Sequence, residues 1–115
     1  MSLSPTRLET LYLRHTNVND AGLVHVKGMD HLKWLNLSDT MVGDAGLAHL
    51  SGLTGLQLLC LSDTRVSDAG LPHLTALSKL RELDFRRVRN TGSLELTIAG
   101  LNELQKAMPT LTIDH

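Results

Sequence analysis

Asp39 and Asp63 stand 24 residues apart in the same Ser-Asp-Thr context, and His15 holds the matching place one unit earlier. Two carboxylates side by side can share a proton or hold a cation, and a histidine can move a proton near neutral pH. Those three residues are the basis for reading the chain as a hydrolytic or metal-dependent enzyme. The recurring context argues against it, because it marks the aspartates as repeat positions rather than a unique site. His25, His49 and His73 recur in the same way. Zinc needs ligands converging at about 2 Å. Residues on adjacent helices stand roughly 10 Å apart, so the histidines read as helix-edge residues. Cys60 is the only cysteine, which excludes an internal disulfide. It has no activating neighbour in its segment, so the case for a nucleophile is weak. No glycine-rich phosphate loop and no supported Ser/His/Asp arrangement occurs. Lys79, Arg81, Arg86, Arg87 and Arg89 form a basic cluster interrupted by Glu82 and Asp84, which could meet an acidic partner or read as a solvated surface. Asn36-Leu37-Ser38 matches a glycosylation sequon but falls in a predicted strand.

The elements that position these residues repeat with them. Leu8, Leu32, Leu56 and Leu80 recur at 24-residue spacing. They open the units 8–31, 32–55 and 56–79 and an irregular unit, 80–115, within a single domain, 1–115. A period of this length means a solenoid. Leu8-x-x-Leu11-x-Leu13 and its counterparts have the alternation of a strand, and strands separated by a returning segment stack in parallel. Thr16, Thr40 and Thr64 follow each strand, and their hydroxyls are expected to bond a backbone group of the neighbouring coil. Asp20, Asp44 and Asp68 precede Ala-Gly-Leu and are expected to cap the short helix that each begins. Leu23/Val26, Leu47/Leu50 and Leu71/Leu74 face inward. Val18, Val42 and Val66 do so as well. In the last unit six residues are inserted between Arg86 and Thr97, with a turn signal at Asn90-Thr91-Gly92-Ser93. Thr97 is expected to cap a helix carrying Leu101, Leu104 and Met108. Pro109 stops it, and Leu111-x-Ile113 adds a fifth strand.

The pattern L-x-x-L-x-L-x-x-T-x-V-x-D-A-G-L-x-H-L-x-x-L resembles the leucine-rich repeat family, most of all its 24-residue bacterial variety, from residue 8 to about 115. It is also similar to the repeats of eukaryotic F-box proteins, where a cysteine fills the place of Thr16, Thr40 and Thr64. The resemblance implies an α/β solenoid, a horseshoe fragment with a parallel sheet on the concave face and short helices on the convex face. It implies little about activity, because the matching positions are mostly core.

In such a stack the side chains flanking the strand leucines form rows on the concave face, the usual binding surface of a horseshoe. One row is Thr10, Trp34, Leu58, Glu82, and the next is Tyr12, Asn36, Cys60, Asp84. They hold the only Trp and the only Tyr of the chain. The candidate binding residues are therefore Tyr12, Trp34, Asn36, Leu58, Cys60, Glu82 and Asp84. Exposed aromatics mark contact sites, although they also pack across strands with no partner at all. Two further rows are Arg14, Ser38, Ser62, Arg86 and His15, Asp39, Asp63, Arg87.

Bulk properties narrow the classes. The chain has 115 residues, 42% apolar and 3% aromatic, with a net charge of −1. No global field favours nucleic acid or a membrane, and no apolar run nears the roughly 18 residues of a span. Residues 1–5 lack the pattern of a signal peptide. The single cysteine and the lack of cysteine-rich caps favour a reducing compartment, the cytoplasm. The expected function is a protein-interaction module binding a protein or peptide on a rigid concave surface, without cofactor, metal or catalysis. The alternative, implied by the resemblance to F-box repeats, is a substrate-recognition domain of a ligase- or effector-like protein. The first layer has only Leu3 and Pro5 as sizeable apolar cover before it. The chain is accordingly expected to be the C-terminal part of a larger protein, and alone to self-associate through the strand edge at Thr10 to Arg14.

Overall fold

The computed structural model describes residues 8–86 and 96–114. The turn signal at residues 90–93, Arg87, Arg89 and the apolar cover of Leu3 and Pro5 lie outside the described residues.

Five strands stack in parallel in chain order: β1 (Thr10–Tyr12), β2 (Trp34–Asn36), β3 (Leu58–Cys60), β4 (Glu82–Asp84) and β5 (Thr112–Asp114). Each is short because only its central residue, such as Leu35, Leu59 or Leu83, points into the core. Leu32, Leu37, Leu56 and Leu61 flank the strands and are fully buried with them. Each such leucine contributes about 1.5–3 kcal/mol by leaving water. The ladder repeats from coil to coil. The Leu37 amide donates to Cys60 O at 2.9 Å, the Leu61 amide to Asp84 O at 2.8 Å, and the Phe85 amide to Asp114 O at 2.7 Å. Identical layers thus fix one register throughout, as the leucine spacing predicts.

The returning segments carry a 3-10 helix at Gly22–Val26, α1 at Asp44–Leu50, a second 3-10 helix at Asp68–Ala76 and α2 at Ile98–Ala107. Their inward residues are those expected, with Leu23, Val26, Leu47, Leu50, Leu71 and Leu74 all buried. Val42 and Val66 are buried beneath the turns, and Val18 is half-buried.

Two expectations about polar side chains need correction. The threonines do not bridge coils. Thr40 Oγ1 donates to Leu37 O of its own turn at 2.6 Å, and Thr64 Oγ1 donates to Leu61 O at 2.7 Å. A hydroxyl so close in sequence reaches the carbonyl three residues back more easily than a separate coil. The aspartates, conversely, do not cap their own helices. Asp20 Oδ1 accepts from the Gly43 amide at 2.7 Å, Asp44 from the Ser67 amide at 2.7 Å, and Asp68 from the Thr97 amide at 2.8 Å. They therefore tie each coil to the next. Among the described residues the side chains that accept at helix starts are Asn19, from the Gly22 amide, Ser67, from the Ala69 amide, and Thr97, from the Gly100 amide.

Thr97 is the cap expected, and α2 with β5 forms the last described layer of the stack. Leu101, Leu104 and Leu111 are buried, and Gln105 Nε2 donates to Met108 O and Leu111 O, at 3.1 and 2.8 Å, binding the helix end to the last strand. At the other end Leu8 is 40% exposed, and Leu11 and Leu13 are only partly buried.

Candidate functional site

The sheet register places the predicted rows side by side. Thr10, Trp34, Leu58, Glu82 and Thr112 are successive partners, as are Tyr12, Asn36, Cys60, Asp84 and Asp114. Both rows lie on the face opposite the buried central leucines, since alternate side chains of a strand point to opposite sides. The first row begins the strands and the second ends them. Tyr12 is 69% and Trp34 41% exposed, Glu82 is exposed, and Leu58, Asn36, Cys60 and Asp84 are half-buried. Trp34 directly neighbours Leu58, so an apolar strip runs along the start of β2 and β3. Tyr12 lies diagonal to Trp34, one strand over and two residues on.

Beyond the strand ends a polar hollow of about 510 Å³ opens, lined by Asn36, Cys60 and Asp84 together with Arg14, Ser38, Asp39, Ser62, Asp63 and Arg86. The last six were not among the candidate binding residues. Their signal in the sequence is the regular third and fourth rows, which continue the strand rows around the turn.

Local chemistry explains why these residues stand there. His15, Asp39 and Asp63 take positive φ values of 60°, 55° and 54°. A left-handed turn residue favours Asp, Asn or His among side-chain-bearing types, so the repeated aspartates have a conformational reason. His15 Nδ1 and Asp39 Oδ2 meet at 2.5 Å across two coils. Asn36 and Asp84 each close a turn. Asn36 Oδ1 accepts from the Ser38 amide at 3.0 Å, and Asp84 Oδ1 accepts from the Arg86 amide at 2.9 Å. Asp84 also accepts from Arg86 Nε at 3.1 Å, Arg86 NH2 at 2.8 Å and Ser62 Oγ at 3.1 Å.

These contacts set the charges. The Arg86 hydrogen bond holds the Asp84 carboxyl below its ordinary range, against the opposing effect of burial. Burial, and then the Asp84 charge, pushes the Cys60 thiol up, so it stays protonated near neutral pH. Among the described residues no group of three or more His, Cys, Asp or Glu side chains comes together as a metal site would require. Lys79 and Arg81 are exposed, and the Arg86 end of the basic cluster is occupied by Asp84. No helix among the described residues is long and apolar enough to cross a membrane.

No protein-family model matches the chain, and no curated protein matches it. Solved structures do. The chain is similar to internalin C2 of Listeria monocytogenes at 26% identity, with a TM-score of 0.68, over 94% of this chain and 41% of that one. It is also similar to an internalin F of the same organism at 17% identity, with a TM-score of 0.53, over 95% of this chain and 35% of that one. The fold is a leucine-rich repeat solenoid. The chain spans about two fifths of the length of internalin C2.

Proposed function

We propose that the chain is a protein-interaction module of the 24-residue bacterial leucine-rich repeat type, and that its concave sheet is the binding surface. The observation that carries this is the exposure of Trp34 and Tyr12, 41% and 69%, on a sheet whose register sets Trp34 beside Leu58 and Tyr12 diagonal to Trp34. Aromatic side chains give large contact area at little conformational cost and dominate interface energetics. The strand register holds them in place before binding, so little freedom is lost on contact. Asn36, Cys60, Glu82 and Asp84 would form the polar part of the contact. The partner is a protein or peptide, and a substrate-recognition role in a larger protein would use the same face. The free thiol of Cys60 supports a reducing compartment, the cytoplasm.

The test compares proteins retained by the wild type, by Trp34→Ala and Tyr12→Ala, and by a convex-face control, Val24→Ala. A partner of the concave face is kept by the control and lost by both aromatic variants, each weakening binding by about 2 kcal/mol or more. A partner held equally by all four proteins would leave the aromatics as mere sheet surface.

A further inference from the structure

The polar hollow at the strand ends is acidic at its centre and basic at its two ends. Arg14 stands on the first coil and Arg86 on the fourth, and the two coils between them contribute Ser38, Asp39, Ser62 and Asp63. The turns are stacked as the strands are. The His15 amide donates to Ser38 O at 3.0 Å, and the Asp39 amide donates to Ser62 O at 2.8 Å. Asp39 and Asp63 therefore border the hollow from adjoining coils, which stand about 5 Å apart.

The positive φ at both positions explains the residue class and not the charge. An asparagine takes a left-handed turn as readily as an aspartate, so the conformation alone does not require two acids on adjoining coils, where like charges repel. Asp84 adds a third carboxylate to the lining, and Arg86 is engaged on it through Nε and Nη2. Cys60, half-buried in the same lining, senses the field. Burial raises its thiol first, and Asp84, Glu82 and Asp114 raise it further, with Arg86 opposing. Among the described residues no three metal-ligating side chains converge. Acidity spread over two coils suits a broad organic cation, and a guanidinium presents several donors in one plane.

We infer that the hollow takes one basic side chain, arginine or lysine, of an extended peptide whose nearby apolar side chain lies on Trp34 and Leu58. The inference rests on the concave sheet being the binding surface. Trp34 and Leu58 stand two residues before Asn36 and Cys60, where the hollow begins. Two residues of extended chain advance about 7 Å and return to the same face. The apolar and the basic residue of the peptide are therefore separated by one residue, in either order. Arg14 and Arg86 at the ends of the hollow repel further cations, so the site favours a single basic residue over a polybasic run.

The test titrates the isotope-labelled chain at low salt with the peptides Gly-Ser-Leu-Ser-Arg-Ser-Gly and Gly-Ser-Arg-Ser-Leu-Ser-Gly and follows the amide shifts of the concave face. Each peptide is also made with citrulline, which keeps the shape of arginine without its charge, and with glutamate. In one of the two orders the arginine peptide binds roughly fivefold or more tighter than its citrulline counterpart. Added salt removes that preference. Asp63→Asn alone reduces it, and Asp39→Asn with Asp63→Asn, which suits the same left-handed turns, abolishes it. Trp34→Ala weakens the arginine and citrulline peptides alike. The inference is overturned if arginine and citrulline bind equally, or if the preference survives the double variant. Tighter binding of the glutamate peptide would assign the hollow to Arg14 and Arg86 and overturn it too. It also falls if no peptide shifts the concave amides, while the reading of the concave face is decided separately, by partner retention in Trp34→Ala and Tyr12→Ala.

Discussion

Asp44 and Ser67 lie 23 residues apart and one coil apart, yet the Asp44 carboxylate accepts both the Ser67 amide, at 2.7 Å, and the Ser67 hydroxyl. That hydroxyl in turn accepts the Ala69 amide at 3.3 Å, at the start of the next helix. One coil's acid therefore orders the beginning of the following coil, and the same chain links Asp68, Thr97 and Gly100. The arrangement converts a row of identical repeats into a directional stack.

Asp44→Ala removes a charged acceptor from two donors and leaves a buried amide without a partner. Unfolding in urea should show a loss of about 2–3 kcal/mol. Ser67→Ala should cost about 1 kcal/mol, and the double variant less than the sum, because the two act through one contact. Gly70→Ala, which forces a methyl group against Asp44, should cost about 1–3 kcal/mol. Gly52→Ala meets nothing within 4 Å and should be neutral or stabilising. Equal effects at the two glycines would show that the carboxylate does not need the space.

Leu61 is fully buried between two layers, whereas Leu11 in the first layer is only partly buried. Leu61→Ala should cost roughly 2–5 kcal/mol. Leu11→Ala should cost clearly less, since part of its surface is already in water. Urea melts of the two variants give the comparison, and equal losses would contradict an open first layer.

The strand rows could be read from the sequence because the leucine spacing fixes the register, and the register alone places Trp34 beside Leu58 and Asn36 beside Cys60. The helix leucines were equally legible from their i, i+3 spacing. The work of the aspartates was not. An acid just ahead of a helix start suits its own helix or the next coil's turn equally well by spacing, and only the stacked geometry decides between them. A usable signal was present in the glycine two residues after each aspartate, which is explained by close approach and not by the helix, where glycine is a poor choice. The sequence also left open which returning segments tighten into 3-10 helices. The polar hollow was legible only as rows, since spacing alone does not give the left-handed turns at Asp39 and Asp63, two of its lining residues.

Cys60 sits half-buried in the concave row with its thiol pushed above the ordinary thiol range by burial first and by the Asp84 charge second. The thiolate is the reactive form. Alkylation at pH 8 should therefore run several-fold slower than for the same protein in denaturant. Asp84→Asn should speed it and shift its pH profile downward. A native rate equal to the denatured one would mean that the thiol is neither screened nor shifted.

Asp84 and Arg86 give the molecule an acid-sensitive contact at the hollow's edge. The Arg86 hydrogen bonds hold the Asp84 carboxyl below 3.8, the ordinary value for an aspartate, while burial pulls the other way. A carboxyl lowered on folding is more fully ionised in the folded chain than in the unfolded one. Its contribution is therefore complete above the unfolded value and is lost as the pH falls through the folded value. Arg86 is largely exposed, so solvent screens the pair and the contribution is small. Arg86→Ala should lower the urea midpoint at pH 7, and the gap to wild type should close as the pH drops below about 4. Asp84→Asn should remove the pH dependence of that gap, leaving only the loss of the turn's charged acceptor. A gap that stays constant from pH 7 to pH 2 would show that Arg86 contributes through packing along the concave edge, with no part for the ionised carboxylate.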